Sequence, residues 1–119
     1  MNQMLHDLST WLEAQKGHEV MIRKEEHSLD KNEITDIDEV KLHLDSVSVR
    51  ELEEPDPDGY LERFELVLRG EGKIYSDEGE VDLPQDTFEI PLFNHIVTKQ
   101  ETDGYSIETD QAHYRFYTH

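Results

Sequence analysis

Residues 40–49 read VKLHLDSVSV, and the parity of their apolar positions decides the fold. Val40, Leu42 and Leu44 fall on even positions with Lys41, His43 and Asp45 between them, so an extended strand here is apolar on one face and polar on the other. Val47 and Val49 then fall on odd positions, and a β-bulge near Asp45 and Ser46 accounts for the change.

Downstream, the turn-rich EEPDPDG of residues 53–59 is followed by Phe64, Leu66 and Leu68, then Gly70, Gly72 and Ile74, all on even positions. This reads as one long strand. Two glycines on one face imply a bend or a close approach by another element, for which the N-terminal helix is the candidate. SDEGE at residues 76–80 is a hairpin connection into a strand carrying Phe88, Ile90 and Leu92, with Pro84 and Pro91 assigning it to an edge or to strand ends. Tyr105 and Ile107, then Tyr114 and Phe116, form two strands about a turn at Asp110.

Upstream, Met4, Leu5, Leu8, Trp11 and Leu12 share one face at helical spacing, which predicts an amphipathic helix from Gln3 to Lys16, capped by Asn2 and stopped by Gly17. Val20 and Ile22 alternate with charged residues, and the polar stretch His27 to Asp36 is expected to be a long loop within a flexible region from Glu25 to Asp38. No segment is long enough for a helical crossover between parallel strands. The expected fold is therefore α+β: one N-terminal helix on a curved, mostly antiparallel sheet of about six strands, barrel-like in its curvature, with residues 1–119 forming one domain.

At 14.0 kDa such a chain buries roughly 65% of its unfolded surface around one core. A hydrophobic fraction of 34% and a mean hydropathy of −0.81 are low, but the apolar residues are spread along the chain, which favours folding. The chain has no cysteine, which excludes disulfides, thiolate nucleophiles and cysteine-ligated zinc. The N-terminus lacks a basic region followed by an apolar run, and no stretch approaches the roughly 20 apolar residues a bilayer requires, so a cytoplasmic address is expected.

Charge is the extreme feature: 29 Asp and Glu against 11 Lys and Arg give −18. Between Glu25 and Glu65, 15 acidic and 4 basic residues leave a local balance of −11. That field repels phosphate backbones and anionic membranes and steers basic proteins or cations inward, so no direct nucleic-acid or membrane binding is expected. Solubility is the plain alternative explanation.

Glu54-Pro-Asp56-Pro-Asp58-Gly59-Tyr60-Leu61-Glu62-Arg63-Phe64-Glu65 resembles the calcium loop of EF-hand proteins. Glu54, Asp56, Asp58, Glu62 and Glu65 match oxygen-ligand positions and Gly59 the sharp turn, which implies Ca²⁺ as the ion. The resemblance covers these twelve residues. The flanking sequences alternate as strands rather than helices, and an acidic β-turn is the alternative. His43 and Asp45, with His95 or His113, are similar to the facial triad of non-haem iron enzymes, two histidines and a carboxylate, although His43 and Asp45 sit opposite the apolar face. Ser46, Ser48 and Ser76 lack a nucleophile context, GEGK at residues 70–73 is too short for a phosphate loop, and Tyr105, Tyr114, Phe116 and Tyr117 form either a stacking platform or part of the core.

No catalytic residue is singled out, and an enzyme is the least favoured class. The small, acidic, cysteine-free profile resembles that of immunity proteins that block toxins and of inhibitors that imitate DNA phosphates. It implies a non-enzymatic protein that engages a basic protein partner through Glu51, Glu53, Glu54, Asp56 and Asp58. The alternative is a domain binding a small molecule or metal ion in a pocket between sheet and helix. Edge strands and exposed aromatics leave room for a homodimer.

Overall fold

The apolar stripe of the N-terminal segment produces α1 (Gln3–Glu13), whose Leu5, Leu8 and Leu12 are buried. After Glu13 the hydrogen bonds tighten to the third preceding residue, from Gln15 to Leu12 and from Lys16 to Glu13, so the helix ends three residues before the predicted Lys16. Gly17 then takes the left-handed conformation at φ +85° and donates its N–H to the Leu44 carbonyl at 2.8 Å. The computed structural model describes residues 3–27, 34–51, 63–93, 96–109 and 112–118.

The strands among these residues are β1 (Glu19–His27), β2 (Ile34–His43), β3 (Ser46–Glu51), β4 (Arg63–Arg69), β5 (Gly72–Ser76), β6 (Gly79–Asp82), β7 (Thr87–Phe93), β8 (Val97–Glu101), β9 (Gly104–Glu108) and β10 (Ala112–Tyr117). A short 3₁₀ turn, Pro84–Asp86, precedes β7. All pairings are antiparallel, and the strands form a seven-stranded sheet in the order β6-β5-β2-β1-β10-β9-β8 and a three-stranded sheet in the order β3-β4-β7. Among the described residues the larger sheet ends at the edges β6 and β8 and does not close into a barrel.

Three of the expected strands are each divided in two, and β8 is an addition. Residues 40–49 explain two of the divisions, and the third falls at the 3₁₀ turn Pro84–Asp86. The change of parity is not a bulge within one strand but a corner at Leu44 and Asp45, where the chain leaves the large sheet as β2 and enters the small one as β3. The partner ribbon turns at the same place, between β4 and β5 at Gly70 and Glu71. The backbone ladder survives the corner: His43 N–H donates to Glu71 O and Asp45 N–H to Arg69 O, both at 2.8 Å. Passing from one sheet to the other at this corner keeps Val40 and Leu42 facing the same interior as Val47 and Val49.

The close approach expected at the glycines is real, but the neighbour is β2 rather than the helix. A Cβ on Gly72 would stand 2.2 Å from the Lys41 carbonyl oxygen. The hairpin at Gly79 forms as expected, and Pro91 lies in β7, an edge of the small sheet. The stretch from His27 to Asp36, expected to be a loop, is strand at both ends, because β1 runs to His27 and β2 begins at Ile34. Paired strand accordingly replaces much of the region expected to be flexible, since cross-strand bonding to β2 and β10 holds Glu25 and Glu26.

One apolar cluster joins the two sheets and the helix. It takes Val20, Ile22, Val40, Leu42 and Leu44 from β1, β2 and the corner, Leu66, Leu68, Ile90 and Leu92 from the small sheet, and Ile107, Tyr114 and Phe116 from the C-terminal strands. Leu5, Leu8 and Leu12 of α1 fill it, contributing on the order of 1.5–3 kcal/mol each by burial. Trp11 lies against Tyr105, with ring centroids 6.0 Å apart.

Candidate functional site

Of the residues singled out in the sequence, the helix cap Asn2, Glu53, Glu54, Asp56, Asp58, Gly59, Glu62, His95 and the turn at Asp110 lie outside the described residues. Glu51 is exposed at the end of β3, opposite Phe64 on β4. Glu65 sits directly across from Arg50 and is held in an ion pair by its guanidinium, with Glu89 3.8 Å from the same group. The hydrogen bond and charge of Glu65 push the Arg50 pKa up. The segments flanking residues 52–62 are the antiparallel partners β3 and β4, not the helix pair of an EF-hand.

His43 and His113 do not meet. His43 pairs with Glu19 and His113 with Glu25, which separates them by six residues along β1, roughly 20 Å. The corner also ends the strand between His43 and Asp45. Among the described residues no group of three His, Asp or Glu is placed to hold a metal ion. Tyr105, Tyr114 and Phe116 are buried and belong to the core, while Tyr117 is half-buried.

The N-terminal helix fills the space between the sheets, and the hollows described here are shallow depressions on the surface. Cross-strand partners share a face, so the outer face of the large sheet carries Arg23, Lys41, Lys73, Lys99 and Arg115. One hollow of about 460 Å³ is lined by Lys41, His43, Lys73 and Tyr75 together with Glu19, Glu71, Asp82 and Asp86. A second, of about 830 Å³, lies over β8, β9 and β10 and includes Arg23, Lys99 and Arg115.

On the interior side, towards the far end of β1, Lys24 stands opposite Asp38 and Tyr114. Burial opposes the lysine charge, but a hydrogen bond to Glu26 and the neighbouring Tyr114 and Asp38 outweigh it and raise its pKa. Burial, reinforced by Asp36, pushes the Asp38 carboxyl up, and burial also raises the Tyr114 phenol.

The most exposed charged element is the edge strand β6. Every residue of β6 is exposed, and with the preceding turn it presents Asp77, Glu78, Glu80 and Asp82. Lys73 takes Glu80 at 2.5 Å, while Val81, on the opposite face of the strand, has 59% of its surface exposed. One side of β6 pairs with β5, and the other has no partner strand among the described residues. Sequence reasoning identified SDEGE as a turn but passed over this edge; the signal was the single apolar Val81 inside an acidic run.

The family model described as YmzB-like protein matches residues 1–119. The "Uncharacterized protein YmzB" of Bacillus subtilis (strain 168) is 43% identical over 107 residues, which span 90% of this chain and 88% of that protein. No solved structure matches the chain.

Proposed function

We propose, for a chain that belongs to the YmzB-like protein family, a non-enzymatic role as a cytoplasmic binding protein that engages a basic partner protein, receiving an extended basic segment along the β6 edge. The observation that carries this reading is the combination on β6 of unpaired backbone groups, four nearby carboxylates and one exposed valine. An added strand gains affinity from main-chain hydrogen bonds and specificity from alternate side chains. With Glu80 and Asp82 on one face and Val81 on the other, a complementary strand alternates cationic and apolar residues. The same carboxylates repel the β6 edge of a second copy, so the edge is guarded against self-pairing while open to a basic strand. The acidic stretch containing Glu51, Glu53, Glu54, Asp56 and Asp58 adds to the field that draws such a partner in.

The test is a fluorescence-anisotropy titration with a labelled ten-residue peptide alternating lysine and valine. Binding that weakens as salt rises, and is lost in Glu80→Lys/Asp82→Lys, supports the reading. Equal affinity in that variant and the native protein refutes it.

A further inference from the structure

We propose a second site, independent of the β6 edge: the hollow over β8, β9 and β10 binds a small, doubly charged oxyanion of the phosphate class through Arg23, Arg115 and Lys99. Arg23 and Arg115 are direct cross-strand partners, Arg115 faces Ser106, and Ser106 faces Lys99, so the four form one row across the outer face. Two like charges placed directly opposite each other destabilise a sheet. Glu25 and Glu39 beside Arg23 and Glu101 beside Arg115 offset part of this repulsion, and a bound anion adds to that offset.

The row also has the shape of a receptor. Adjacent strands lie about 4.8 Å apart, so the backbones of Arg115 and Lys99 are roughly 10 Å apart. Between them Ser106 is small and buried, which lowers the floor of the row. The hollow is further lined by Thr102, Gly104 and Thr118.

The charge balance singles out this hollow. Its lining holds three cationic and two acidic side chains, Glu101 and Asp103, whereas the hollow at Lys41 and Lys73 is lined by four carboxylates. Arg23 is engaged through Nε by Glu25 at 2.9 Å, and one Nη lies 3.9 Å from Glu39; Arg115 Nε is 4.0 Å from Glu101. A guanidinium has five N–H donors, so both retain donors for an oxyanion, and Lys99 makes no ion pair with a described residue. Size follows from the field. At physiological salt a charge is felt over about 8 Å, so a small anion seated on the three cations faces only the few carboxylates beside them, Glu25, Glu39, Glu101 and Asp103. A long polyanion would reach the rest of a surface whose net charge is −18.

The probe is inorganic phosphate, titrated into the ¹⁵N-labelled full chain at pH 7 against sodium chloride of matched ionic strength. Saturable shifts at Lys99, Gly104, Ser106 and Arg115 are expected. Affinity should fall about tenfold in Arg115→Gln and in Lys99→Gln and stay unchanged in Lys16→Gln. Phosphate should also raise the melting temperature of the native protein but not of Arg115→Gln, whose melting temperature in chloride should be no lower than that of the native chain. Shifts that follow ionic strength alone, or equal phosphate affinity in native protein and both variants, would overturn the proposal.

Discussion

Gly70 lies so close to His43 that a Cβ on the glycine would stand 1.8 Å from the His43 carbonyl oxygen. Its φ of +153° is also a value that side-chain-bearing residues rarely adopt. The obstacle is backbone on the opposing ribbon and cannot rotate away, so Gly70→Ala should open the corner. A loss of about 3 kcal/mol or more is expected, read by urea denaturation. Gly79→Ala, with φ +115° but open space around it, should cost only about 1 kcal/mol. Similar losses at the two positions would refute the corner as the point of strain.

The corner also shows what the sequence could reveal. Alternation at Val40, Leu42 and Leu44, the parity change at Val47, and the paired glycines at 70 and 72 were all visible, and each marks the same bend. What the pattern lacks is the identity of the opposing element, since a parity change is equally consistent with a bulge and with a transfer between sheets. β8 was invisible because VTKQE has one apolar residue, Val97, and it is 61% exposed. Strands at an edge are defined by the neighbour that pairs with them, not by their own periodicity. Candidate sites were legible only as charge: Glu65 was placed among metal ligands, yet its cross-strand neighbour Arg50 occupies it, and register is not written in composition.

Leu8→Ala in α1 should cost about 2–5 kcal/mol, because Leu8 is buried against both sheets and the backbone around it cannot collapse fully. Val97→Thr, at an exposed edge position, should stay within about 0.5 kcal/mol. Thermal melts followed by circular dichroism would separate the two.

Asp38 gives a pH signature. Burial and Asp36 raise its folded pKa above the unfolded value of 3.8, so the folded state holds the proton more tightly. The associated stability is fully present below pH 3.8 and is lost as pH rises through the folded pKa. Asp38→Asn should therefore raise the melting temperature at pH 7, with the difference closing as pH falls towards 3.8. An opposite sign at pH 7 would mean that the attraction of Lys24 dominates.

Salt should stabilise the fold. With a net charge of −18, the folded chain repels itself, and at about 1 M ionic strength the screening length falls to roughly 3 Å. The melting temperature should rise between low and high sodium chloride, and scanning calorimetry would measure it.

The β6 edge is tested most directly by amide hydrogen exchange on the labelled protein with and without the lysine–valine peptide. Slowed exchange is expected at those amides of Gly79–Asp82 that do not bond to β5, because a new strand must take their hydrogen bonds. Peptide binding that leaves exchange on β6 unchanged would contradict it, and would mean that charge alone, without strand addition, draws the basic segment in.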